Sequence, residues 1–181
     1  GHVLLLQRAK ALGDYLVVGA SGDDTLGPNA GAAYLFDAAT GGLLQTLNNP
    51  NPAKPAFGED SYAKAIAVSG PHVVVGAFGE ENGPGTLDSQ VGEAYVFDAV
   101  TGALAHTLKN PSTLPVQQKF GQGFGFAVAI SATTAVIGAP FPNTNSSTAL
   151  GSAYLFDVTT GALLRPFANP TPSPVDRFGA A

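Results

Sequence analysis

One phrase, Tyr-Leu/Val-Phe-Asp followed by Thr-Gly, occurs three times in 181 residues, at 34–41, 95–102 and 154–161. An apolar run ending in Gly-Ala precedes each copy: Val17-Val18-Gly19-Ala20, Val74-Val75-Gly76-Ala77 and Val136-Ile137-Gly138-Ala139. An Asn-Pro pair follows each, beginning at Asn49, Asn110 and Asn169. Recurrence of short strand-like pieces at a fixed spacing marks an array in which each unit covers its neighbour's apolar face. The units divide at 1–52 (divergent at its N-terminal end), 53–113 and 114–172, with a further copy starting at 173–181.

The middle unit shows how such a unit folds. Residues 64–69 form a short apolar-leaning strand, Ser69-Gly70-Pro71-His72 a turn, and 72–77 a continuous apolar strand. A long loop leads to a third strand at 92–97, a turn at 98–102 and a fourth strand at 103–108. Turn signals at short intervals between strands describe an antiparallel meander. The run Val73-Val74-Val75 does not alternate, so both its faces are expected to be buried, which requires another layer on each side. The fourth strand differs, because its third copy reads Leu163-Leu164-Arg165-Pro166-Phe167, and an internal proline is confined to edge strands. Inner strands buried twice and an outer strand exposed define an all-β fold of β-propeller blades, about three four-stranded antiparallel units. These constitute an incomplete propeller or part of a larger one.

Asp37, Asp98 and Asp157 recur in register and invite a functional guess. Turn formation explains them more simply: an Asp at the start of a turn accepts backbone N–H groups two or three residues on, while Gly41, Gly102 and Gly161 supply positive φ.

Composition fits a β-rich secreted scaffold. Gly (23) and Pro (14) exceed their usual shares of about 7% and 5%, which suits many tight turns. Charged residues make up only 12%, so part of the surface is expected to face other protein. A net charge of −5 leaves no basic footprint for nucleic acid. No apolar stretch approaches a membrane span, and the lack of cysteine rules out a disulfide framework. Methionine is absent, even at position 1, so the sequence is expected to be a processed product or a segment of something longer.

Phe124-Gly125 followed by Val136-Ile137-Gly138-Ala139-Pro140 resembles the FG-GAP repeat, the blade unit of integrin α-chain propellers and of many bacterial secreted proteins. The second unit departs from the pattern, with Tyr62-Ala63 at the Phe-Gly place and Gly76-Ala77-Phe78 for Gly-Ala-Pro; the first keeps Gly19-Ala20-Ser21. Phe178-Gly179 opens a further copy. The wording is closer to the bacterial arrays than to the animal receptors.

The resemblance implies an extracellular or cell-surface module that acts without catalysis in adhesion or assembly. Calcium-binding copies of the family carry an Asp-rich loop before the strand that ends in Gly-Ala-Pro. Here those places read Leu12-Gly13-Asp14-Tyr15, Ser69-Gly70-Pro71-His72 and Ser131-Ala132-Thr133-Thr134. A hard cation needs six to eight oxygens, several of them carboxylate, so these calcium sites are not carried over. No metal centre or other cofactor is expected, beyond a weak cation or polar-ligand site at Asp23-Asp24.

Other polar groups cluster in the loops after Gly-Ala: Asp23 and Asp24 in the first, Glu80, Glu81 and Asp88 in the second, Asn143 and Asn145 in the third. Loops at one end of a propeller commonly bind ligands, but loop acids are also ordinary solvated turn residues. The run Gly121-Gln122-Gly123-Phe124-Gly125 imitates a kinase phosphate loop, yet the following strand lacks the required lysine, and turn formation explains it. No His stands near an acid and a nucleophile at recognisable spacing, and no Gly-x-Ser-x-Gly elbow occurs. The chain is therefore not expected to be an enzyme.

Three units leave two sheet faces uncovered, an apolar area larger than monomers tolerate. The expected partners are other protein chains or further blades of the same protein, in a homo-oligomer or a larger assembly, with neither nucleic acid nor a membrane span. The alternative function is a propeller accessory to a secreted hydrolase whose chemistry lies outside this chain. A quinone-cofactor dehydrogenase propeller shares the turn cadence, but its blades dock on tryptophan, and this chain has none.

Overall fold

Valine and alanine runs bounded by Asp and Gly turns fold, in the computed structural model, into twelve strands among the described residues, in three antiparallel four-stranded sheets. The structure describes residues 7–12 (backbone only), 15–52, 61–80, 91–112, 122–141, 151–173 and 176–181. The first sheet contains β1 (Gln7–Leu12), β2 (Tyr15–Ala20), β3 (Ala32–Asp37) and β4 (Leu43–Asn48). The second contains β5 (Tyr62–Ser69), β6 (His72–Ala77), β7 (Glu93–Asp98) and β8 (Leu104–Lys109). The third contains β9 (Ala127–Ser131), β10 (Thr134–Ala139), β11 (Ser152–Asp157) and β12 (Leu163–Ala168). Each is a meander in chain order, and no helix occurs among the described residues. These are propeller blades.

The sheets stack face to face with the second in the middle. One core joins Val17, Leu35 and Leu47 of the first sheet to Tyr62, Val73, Val75, Tyr95 and Phe97 of the second. A separate core joins Val74, Val96 and Leu108, on the opposite face of the second sheet, to Ile130, Ile137, Tyr154 and Phe156 of the third. Alternation along β6 thus sends Val73 and Val75 one way and Val74 the other, and all three are fully buried. That is why the run shows no polar alternation.

The fourth strands lie at sheet edges, and Pro166 sits in the edge strand β12, where a missing N–H costs no ladder bond. In all three sheets one extra residue bulges the fourth strand, at Leu44, Ala105 and Leu164. A bulge adds local twist. Leu43, Leu44, Leu104, Leu163 and Leu164 remain exposed along this rim.

Candidate functional site

The candidate residues fall into three groups, two of them singled out from sequence. In each Thr-Gly turn the Asp Oδ1 accepts backbone N–H bonds from the second and third residues on: Ala39 and Thr40 for Asp37, Val100 and Thr101 for Asp98, Thr159 and Thr160 for Asp157. Each also accepts from a threonine hydroxyl, that of Thr40, Thr101 or Thr159. Backbone and hydroxyl donors from Thr40 and from Thr101 hold Asp37 and Asp98 below the usual carboxylate range, and those of Thr159 do the same for Asp157. Gly41, Gly102 and Gly161 take φ of 70°, 72° and 72°, the left-handed region that closes the turn.

The loop acids are held by the protein's own donors. Asp23 accepts from Thr25 N–H at 2.9 Å and from the Tyr34 hydroxyl at 2.7 Å. Its hydrogen bond and burial together push the Tyr34 phenol up to about 12. Asp24 accepts from Asn29 N–H at 2.7 Å. Glu80 is buried (1% exposed) and accepts from the side-chain amides of Asn51 at 2.7 Å and Asn49 at 3.4 Å, so it ties the second unit to the connector of the first. Glu93, on β7, accepts from the Tyr95 hydroxyl at 3.0 Å, and burial drives the Tyr95 phenol far above its ordinary value. No cluster of three or more acids or histidines placed to hold a metal occurs among the described residues. Glu81, Asp88, Asn143 and Asn145 lie outside the described residues.

The third group is a set of junction residues that sequence reasoning passed over. At each junction a glycine of one unit receives the backbone of the next unit's Phe-Gly position. A Cβ on Gly76 would lie 2.0 Å from the Gly125 carbonyl oxygen, and one on Gly92 would lie 2.1 Å from that of Phe124. A Cβ on Gly19 would likewise lie 2.1 Å from the Ala63 carbonyl oxygen, and one on Gly138 would lie 1.9 Å from that of Gly179. The Gly of Gly-Ala is thus a socket, needed because any side chain there would strike the neighbouring backbone. The glycine-rich run ending at Gly125 is accordingly more than a turn: Gly125 itself seats on the second sheet, with no room for a Cβ against the Glu93 carbonyl.

Tyr62, at the Phe place of the second unit, donates its hydroxyl to the Leu47 carbonyl of the first at 3.0 Å. Ala63, at the Gly place, is forced to φ 61°. Polar bonds repeat the pattern at the rim. Gln45 Nε2 donates to the Val100 carbonyl in the turn of the next unit (3.0 Å), and His106 Nε2 lies 3.1 Å from the Thr159 carbonyl in the turn of the unit after. Asn49, Asn110 and Asn169 each accept an N–H two residues on (Asn51, Ser112, Thr171), which sets the connector. The common register of Gln45, His106 and Arg165 was the available signal for the rim contact, and their unlike chemistry concealed it.

A cavity of about 380 Å³ opens between β5 and β9, lined by Lys64, Ile66, Phe78, Phe126 and Val128 among others. Lys64 Nζ lies 5.3 Å above the Phe78 ring and 3.1 Å from Ser61 Oγ.

Stacked four-stranded meanders joined by glycine sockets define a β-propeller-type repeat module. Residues 11–36 and 118–156 match the family model of the FG-GAP repeat, which supports assigning these two stretches to that repeat family. The unmatched middle unit is the one with Tyr62-Ala63 in the Phe-Gly place. No curated protein is significantly similar to the chain.

Proposed function

We propose that this chain is a non-catalytic structural and interaction module that acts outside the cell or at its surface, by joining its open sheet faces to other polypeptide. One observation carries this reading. Val136 and Phe167, on the outward face of the third sheet, are each 38% exposed, while their counterparts Val74 and Leu108 in the second sheet are 0% and 1% exposed. Apolar area of this kind gains about 25 cal/mol per Å² on being covered. The family supports the extracellular setting, and no helix among the described residues is long and apolar enough to cross a membrane.

Site-specific photo-crosslinking in the producing cell tests the reading. A benzophenone side chain at Phe167 is expected to trap a polypeptide in the extracellular or surface fraction. Absence of any polypeptide adduct, or adducts confined to the cytosol, would contradict it.

A further inference from the structure

Resting on that reading, we infer that the polypeptide covering the third sheet is the first sheet of a second copy, joined head to tail. Both outer faces of the stack match the two sides of the junctions already formed. On the third sheet, Val136, Leu155 and Phe167 hold the places of Val17, Leu35 and Leu47, which the second sheet buries, and of Val74, Val96 and Leu108, which the third buries. On the first sheet, Leu16, Val18, Tyr34 and Phe36 are half-buried. They hold the places of Val73, Val75, Tyr95 and Phe97, the residues that do the covering inside the molecule. The two open faces are therefore complementary halves of one interface type.

Two polar details fit the same pairing. Arg165 stands in register with Gln45 and His106, each of which reaches a carbonyl in the next unit's turn. The equivalent acceptor on the first sheet is the Ala39 carbonyl, in an exposed turn. Gly102 and Gly161 sit against Gln45 and His106, whereas a Cβ on Gly41 would meet nothing within 4 Å among the described residues. The Arg165 guanidinium of one copy fits against Gly41 and Ala39 of the other.

The glycine sockets of the third sheet, Gly138 and Gly151, already hold Phe178-Gly179. The unit best suited to cover the rest of that face is one without its own Phe-Gly pair. Tyr62 and Phe124 stand ten residues before the start of the second strand in their units; in the first unit that place reads Leu5-Leu6. Two copies of the three described sheets make six, within the four to eight at which propellers close. A head-to-tail contact that closes gives a ring with no face left open.

The native mass of the purified chain, by analytical ultracentrifugation across micromolar concentrations, tests the pairing. The expected particle has twice the 18.2 kDa of one chain. Arg165→Glu and Ala39→Trp change exposed residues only, and each is expected to weaken the dimer at least tenfold with unchanged circular dichroism. Mixing the Arg165→Glu and Ala39→Trp chains puts both substitutions on one interface and leaves the other intact. Where each substitution opens its interface outright, a heterodimer therefore forms and neither homodimer does. A dimer weakened by Arg165→Glu but indifferent to Ala39→Trp would overturn the head-to-tail pairing. A monomer whose Phe167 crosslinks to a different polypeptide would overturn the second copy and leave the module reading standing. A monomer with no polypeptide adduct would sink both.

Discussion

The second and third sheets have nearly the same sequence pattern and very different surroundings. In the second, β6 and β7 are buried except at His72 and Asp98 because a sheet lies against each face; in the third, β12 is exposed throughout and β10 leaves Val136 exposed. Val-Val-Gly-Ala and Val-Ile-Gly-Ala are equally apolar, so the difference comes from position in the stack. A blade here acquires its core from its neighbours, as expected of an array whose stability resides in nearest-neighbour interfaces.

The strongest way to break this contrast is at the sockets. Gly76→Ala drives a Cβ into the Gly125 backbone and is expected to cost about 3 kcal/mol or more. Gly138→Ala makes a similar clash with Gly179 but displaces only the end segment, 176–181, so about 1 kcal/mol is expected. Denaturant titration of the two variants measures the gap, and equal losses would contradict the contrast. Next come the side chains. Leu108→Ala removes a fully buried group and should cost about 2–5 kcal/mol, whereas Phe167→Ala, in chain dilute enough to be monomeric, should cost about 1 kcal/mol or less.

Smaller effects sharpen the picture. Ala63→Gly relieves left-handed strain of about 1–2 kcal/mol. Set against the added unfolded-state entropy of glycine, about 0.5–1 kcal/mol, the expected gain is roughly 0.5–1 kcal/mol at the first junction. A lower melting temperature for that variant would show that the Ala63 methyl packs better than the backbone strains. The smallest effect is shared by all three sheets. Asp37, Asp98 and Asp157 have depressed folded-state values, so their stabilisation is present above the ordinary value of 3.8 and is lost as pH falls through the folded ones. Asp98→Ala should flatten the acid limb of a stability–pH profile; an unchanged limb would remove the turn bonds from the account.

Blade count, strand order and the Asp turns were legible in the sequence because they depend on local patterns: a repeated phrase, an unbroken valine run, an Asp three residues from a Thr and four from a Gly. The sockets were not. Gly76 and Gly125 are far apart in sequence, and a glycine at a strand end reads equally well as a turn residue until its neighbour's carbonyl is placed. The settings of two loop acids were hidden for a related reason. Asp23 and Glu80 look solvated in sequence, and only the fold brings Tyr34 and Asn51 to them. Phe126 likewise meets Phe78 only across the junction between the second and third sheets.

The most direct test of burial by neighbouring sheets uses the absence of native cysteine. Val74→Cys and Val136→Cys place a thiol at the same blade position in the second and third sheets. In dilute chain, the thiol at position 136 is predicted to react with a maleimide at close to the rate of a free thiol. At position 74 the thiol should react only as fast as the junction opens, at least a hundredfold more slowly. Equal labelling rates at the two positions would contradict the account.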